Sequence, residues 1–173
     1  LYADATKLLG HASEVAAQSQ EQAAQAEGNL ESQLPDQGWG ALPLLAYTQG
    51  WLCEKAGDSS AALKHYAQGA RLSPDYCFPA RLEEIAILHS AIRRNPADAR
   101  APYLLGNLLY DRRRHEEAIR LWEISSQLDR GFAIVWRNLG IGYFNVRRNP
   151  AKARAAYEKA FRANPADARL LFE

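Results

Sequence analysis

Side chains able to do chemistry are few in this sequence, and they stand apart. The four histidines, His11, His65, His89 and His115, fall one to a region, with no carboxylate or nucleophile at a useful spacing. Nucleophilic catalysis needs a base beside the attacking atom and a third group to orient that base. Metal binding needs ligands clustered at recognisable intervals. Neither pattern is present. Cys53 and Cys77 lie outside any CxxC pair and read as reduced, partly buried thiols, which are no disulfide framework. Glu83-Glu84 and Glu116-Glu117 are adjacent carboxylates, but they open predicted helices, where the macrodipole favours negative charge without any catalytic role. No glycine-rich phosphate loop occurs. The expectation is a protein that is not an enzyme and takes no metal or cofactor.

The elements that could position a binding surface instead follow from composition and repetition. Of 173 residues, 47% are hydrophobic and 24% charged, an ordinary balance for a globular core. No apolar run approaches the roughly 20 residues that span a bilayer, and Leu1 to Gly10 has no basic start followed by an apolar stretch. A cytoplasmic location is expected, with no membrane partner. The first residue is Leu1, Met is absent, and Leu170-Leu171-Phe172-Glu173 reads as a helix just starting, so a segment of a longer protein is expected. The exposed apolar end at Leu170-Leu171-Phe172 predicts further repeats or self-association. Net charge is +1, unevenly spread: residues 1–40 hold six acids and one base, whereas 81–173 hold seventeen bases and eleven acids. Such an excess suits acidic or amphipathic partners better than nucleic acid, which wants a denser basic face.

Self-similarity is the strongest signal. Asn-Pro-Ala-Asp-Ala-Arg occurs at 95–100 and again at 164–169, an offset of 69. Leu105-Gly106 returns as Leu139-Gly140 after 34, Ala118 as Ala153 after 35, and Trp122 is matched by Tyr157. Gly106 and Gly140 fall mid-helix, where Gly costs about 1 kcal/mol relative to Ala. Close approach of a paired helix, facing Ala118 or Ala153, would offset that, with the aromatic one turn later filling the space between hairpins.

On these residues the sequence resembles the tetratricopeptide repeat (TPR) family. In 133–167 the pattern is met by Trp136, Leu139, Gly140, Tyr143, Ala153, Tyr157, Ala160 and Pro165, with one residue inserted near Asn149-Pro150. In 99–132 it is met by Leu105, Gly106, Leu109, Ala118, Trp122 and Ser125, with Pro102 and Arg130 as departures. In 43–76 it is met by Gly50, Ala62, Tyr66, Gly69 and Pro74, with Gln49 where Leu is expected. The fold class this implies is all-α: a TPR-like α-solenoid of antiparallel helix hairpins, about eight or nine helices in a right-handed superhelical stack.

The expected organisation is a single solenoid over 1–173. It comprises an N-terminal helical segment and connector (1–40), a TPR-like repeat (43–76), an irregular linker with one helix (75–98), TPRs at 99–132 and 133–167, and the start of a further helix (168–173). The segment from Pro74 to Pro96 is too short for a full repeat. Tyr76 and Phe78 are expected to pack where the missing helix would lie. Asp98 and Asp167 are predicted N-caps.

The resemblance also implies a binding surface, because the first helix of each TPR pair lines the concave side. That selects Tyr47, Trp51 and Glu54, then Arg100, Tyr103, Asn107, Tyr110 and Asp111, then Ile134, Arg137, Asn138, Ile141 and Asn145. Tyr47, Trp51 and Tyr110 could equally serve as core. Aromatic rings with Arg and Asn suit peptide recognition. The carboxylate clamp of some TPR proteins is matched at Asn107, Asn138 and Arg169 but broken at Tyr103 and Glu173. Arg112, Arg113, Arg114, Arg147 and Arg148 recur at equivalent turns and would form a basic ridge if aligned.

The function implied is a protein-interaction scaffold within a larger protein, its partner a protein or peptide. The alternative is a structural module attached to a catalytic or carbohydrate-related domain elsewhere. Residues 74–173 are similar to the TPR tails of large bacterial proteins with an uncharacterised β-rich upstream domain. The likeness rests on Asp75-Tyr76-Cys77-Phe78-Pro79, Ala80-Arg81-Leu82-Glu83-Glu84 and Trp136-Arg137-Asn138-Leu139-Gly140.

Overall fold

A computed structural model describes residues 5–7, 10, 11, 14 and 41–166. The expectations for the rest of 1–40, and for Asp167, Arg169, Glu173 and the apolar end at 170–172, lie outside the described residues. Every regular element among the described residues is a helix. The chain divides into two compact units, Leu1–Phe78 and Pro79–Glu173.

The first unit holds α1 (Leu42–Lys55) and α2 (Ser59–Gly69), packed as a hairpin. Asp58 caps α2 by accepting a hydrogen bond from the Ala61 amide at 2.9 Å. The pairing is reciprocal. The Tyr66 ring lies where a Cβ on Gly50 would stand, 2.7 Å away, and the Tyr47 ring does the same to Gly69. Both rings are fully buried, and Tyr66 donates its hydroxyl hydrogen to Glu54 at 2.9 Å. Gln49, the departure from the Leu position, is buried as well.

The linker after α2 departs from expectation. Tyr76 and Phe78 do not fill a vacant helix position: they are 68% and 75% exposed. The Cys77 amide donates to the Pro74 carbonyl and closes a turn with Tyr76 in the left-handed region, φ 57°. That turn sends both rings outward and buries Cys77 instead. Burial, and secondarily the charge of Asp58, pushes the Cys53 thiol up from its ordinary value, away from the reactive thiolate.

The second unit runs α3 (Glu83–Arg94), α4 (Arg100–Asp111), α5 (His115–Leu128), α6 (Ala133–Asn145) and α7 (Pro150–Ala163), each packed on the next. Asp98 Oδ1 accepts from the amides of Arg100 (2.7 Å) and Ala101 (3.3 Å), the capping its sequence position predicts. Asn149 caps α7 through the Lys152 amide, with Pro150 at the first helical position. The two mid-helix glycines explain the pairing. A Cβ on Gly106 would stand 2.5 Å from Trp122 Nε1 and 3.2 Å from the Ala118 carbonyl oxygen. One on Gly140 would stand 2.6 Å from the Tyr157 ring. The signature aromatic therefore packs inside its own hairpin, against the glycine of the partner helix. Trp122 also reaches the next hairpin, where Gly142 meets Ile119 and the edge of the indole.

Three hairpin turns share one device. Gly57 (φ 88°), Arg113 (φ 61°) and Arg148 (φ 50°) each adopt the left-handed conformation just after a first helix. The following amides reach back to the Cys53, Leu109 and Tyr143 carbonyls. This closure satisfies carbonyls the helix end would otherwise orphan. Glycine adopts it freely, whereas for an arginine it costs roughly 1–2 kcal/mol.

Candidate functional site

The first helices of the two regular hairpins, α4 and α6, meet through a pair of amides. Asn138 donates from Nδ2 to Asn107 Oδ1 at 3.0 Å, and Trp122 Nε1 donates to the same oxygen at 3.1 Å. One acceptor thus joins three helices. The unused groups are the Asn107 amide nitrogen, a donor, and the Asn138 carbonyl oxygen, an acceptor. Together they have the complementarity of one peptide unit. Arg137 and Ile141 are half-buried on the same helix as Asn138.

Other groove candidates are committed to structure. Tyr47 is core. Trp51 is half-buried, with Lys55 Nζ 5.4 Å from its ring centre. Tyr103 is only 5% exposed and packs against Phe132, ring centres 4.9 Å apart. Arg100 pairs with Asp129 at 2.6 Å and lies 4.4 Å over the Phe132 ring, locking the α5–α6 turn to the start of α4. Tyr110 is half-buried between His115 and Trp122. Of the clamp positions, Asn107 and Asn138 bind each other and Tyr103 is buried; the remaining two lie outside the described residues.

The basic turns are largely compensated. Arg114 forms a two-pronged pair with Glu117, both contacts 2.7 Å, which holds the Glu117 carboxyl below its ordinary range. Arg147 reaches Glu116 and Glu123 at 3.1 and 2.7 Å. Arg112 donates to the Ala80 carbonyl and stands 3.6 Å from Asp111. Among the described residues, Arg113 and Arg148 are the two of the five without such a contact.

Sequence reasoning missed a cleft of about 730 Å³ on the second-helix side of this unit. Its floor is Trp136 and Tyr143 from α6; its walls come from α5 and α7, with Glu123 on one side and Lys159 and Arg162 on the other. Arg130 stands at the rim, and its carbonyl accepts from Trp136 Nε1 at 3.0 Å. Lys159 Nζ sits 4.2 Å from the centre of the Trp136 ring. The available signal was the placing of Lys159 and Arg162 three apart on one face of α7.

Tyr143 donates its hydroxyl hydrogen to Glu123 Oε1 at 2.9 Å, the oxygen that Arg147 also holds. Burial, then the hydrogen bond to Glu123 and the charge of Glu123, push this phenol up to about 12, with Arg147 opposing. A folded value above the unfolded one means the phenol's contribution to stability is complete below about pH 10 and is lost between about 10 and 12. The stability difference between the wild type and Tyr143→Phe is predicted to shrink over that interval. Urea midpoints measured from pH 9 to 12 check it, and a constant difference would refute the coupling.

Paired helices of this length, closed by glycine against a partner-helix aromatic, define a class of repeat-built helical proteins. The family model described as tetratricopeptide repeat matches residues 85–123, which take in most of α3, all of α4 and the first part of α5. Among curated proteins, the chain is similar to the BBSome complex member bbs-4 of Caenorhabditis elegans. The two are 25% identical over 135 residues, covering 71% of this chain and 29% of that protein. The chain thus spans less than a third of this relative's length. The solved structures that the chain is similar to include YrrB, described as a TPR protein with an unusual peptide-binding site. It is 17% identical, with 99% of this chain and 89% of that one covered, at a TM-score of 0.48. Another is MamA from Desulfovibrio magneticus RS-1, 19% identical, with 94% and 97% covered, at a TM-score of 0.47.

Proposed function

We propose that this chain is a protein-interaction scaffold that binds an extended peptide or protein segment along the first-helix face of α4 and α6. The observation that carries this reading is the Asn107–Asn138 pair, which bridges adjacent hairpins and leaves one amide donor and one amide acceptor for a peptide unit. Arg137 would fix polarity and Ile141 would supply apolar area. The reading involves no chemical step, only recognition.

The test is capture of partners from lysate by the wild type and by an Arg137→Ala/Asn138→Ala variant. Asn107 keeps its bond from Trp122 in that variant, and circular dichroism checks that the fold is retained. Partner recovery is expected to fall about tenfold or more, the scale of losing one or two buried polar contacts. Unchanged recovery by a folded double variant sinks the assignment of this face.

A further inference from the structure

We propose that the cleft between the second helices α5 and α7 is a separate binding site for a short acidic peptide segment that also carries apolar side chains. Its volume, about 730 Å³, is large enough for a few residues of a chain lying across an open cleft. The site exists because α5 and α7 each pack on α6 and leave space above it. Trp136 and Tyr143 form the bottom of that space and offer ring surface to an apolar side chain.

The charge around the cleft decides what else the occupant must carry. Glu123 is already engaged, accepting from the Tyr143 hydroxyl and pairing with Arg147, which it shares with Glu116. Arg130 is exposed, and among the described residues no carboxylate pairs with it or with Lys159. Lys159 rests on the Trp136 ring, which attracts a cation without cancelling its charge. Arg162 holds the Glu158 carbonyl at 3.2 Å and leaves its carboxylate at 4.0 Å. Two cations without a carboxylate partner among the described residues, Arg130 and Lys159, and a third, Arg162, with a long pair to Glu158, therefore line the cleft beside one acid already held by Arg147. Carboxylates placed above the aromatic floor meet cations on two sides.

A peptide fits this arrangement better than a nucleic acid. Backbone phosphates need an extended track of free cations. Here the arginines that could continue the track, Arg114 and Arg147, are bound to Glu117, Glu116 and Glu123. The site is also distinct from the α4/α6 face, since neither Asn107 nor Asn138, Arg137 or Ile141 lines it.

The experiment is a fluorescence anisotropy titration of the 173-residue chain. The probes are a fluorescein-labelled peptide of alternating Glu and Leu, its Gln-Leu counterpart and a labelled oligothymidylate. The Glu-Leu peptide is expected to bind, and the Gln-Leu peptide to bind at least about tenfold more weakly. Lys159→Gln/Arg162→Gln, both exposed positions, is expected to lose about tenfold or more with an unchanged melting curve. Arg137→Ala/Asn138→Ala is expected to keep full affinity, which separates this site from the α4/α6 face. No saturable binding of the Glu-Leu peptide, equal binding of the Gln-Leu peptide, wild-type affinity in the Lys159→Gln/Arg162→Gln variant, or tighter binding of the oligonucleotide would each overturn the proposal.

Discussion

Trp122→Ala is expected to destabilise the chain by about 3–5 kcal/mol, a large share of the roughly 5–15 kcal/mol that holds an ordinary domain. Trp122 is 3% exposed and serves four neighbours at once. Its nitrogen donates to Asn107, its ring lies 5.1 Å from Tyr110, its edge covers Gly106, and its far side reaches the space at Gly142. Truncation opens a cavity among side chains on three helices. It also takes from Asn107 one of the two donors it accepts. Trp122→Phe is expected to lose less, about 1–2 kcal/mol, because the ring remains and only the hydrogen bond and part of the volume go. Urea unfolding followed by circular dichroism measures both. A loss under about 1 kcal/mol in Trp122→Ala would mean that the hairpin is not held by this side chain.

Gly106→Ala is expected to destabilise by about 2 kcal/mol, against the sign that helix propensity predicts. Propensity alone would add about 1 kcal/mol of stability. The new methyl group, however, would lie 2.5 Å from Trp122 Nε1 and 3.2 Å from the backbone oxygen of Ala118. Neither can retreat without loss, since the indole is tethered to Asn107 and the carbonyl belongs to α5. Overpacking of this kind costs about 1–3 kcal/mol, and displacing the indole adds about 1 more. The two substitutions must then couple. In a Trp122→Ala background the indole clash is gone and only the 3.2 Å contact with the Ala118 oxygen remains, so the cost of Gly106→Ala is expected to fall to about zero. A double-mutant cycle with no interaction term would refute the close-approach account of both repeat glycines. Gly140→Ala provides a milder comparison, because Tyr157 is half-exposed and can yield.

That the two glycines carry such weight was legible in the sequence. A residue that harms a helix does not recur at a fixed interval without a packing reason, and the same spacing pointed to the all-helical repeat architecture. The partner of each glycine was legible only in part. Spacing marks Trp122 and Tyr157 as signature positions, but which surface a ring covers depends on the crossing of two helices. The linker misled for a local reason: an apolar run reads as buried, whereas the left-handed turn at Tyr76 reverses which side chains face inward.

Electrostatics were the least legible. Arg147 is one of five similar arginines in the sequence, yet it binds acids 24 and 31 residues away. Those partners become visible only when consecutive hairpins are laid side by side. The same holds for the cleft. Trp136 and Tyr143 each fill a signature position, and nothing in a one-dimensional pattern says that a gap opens above them.

The shared oxygen of Asn107 has a mechanical meaning. Stacked hairpins joined only by apolar contact peel apart one at a time under tension, because each interface yields without disturbing the next. Here α6 is fastened to α4 by Asn138 and to α5 by Arg147 and Tyr143, across separations of 20 to 31 residues. A pull along the chain loads these fastenings together, in shear. The two hairpins should therefore give way as a single link, at a higher force than either would bear alone.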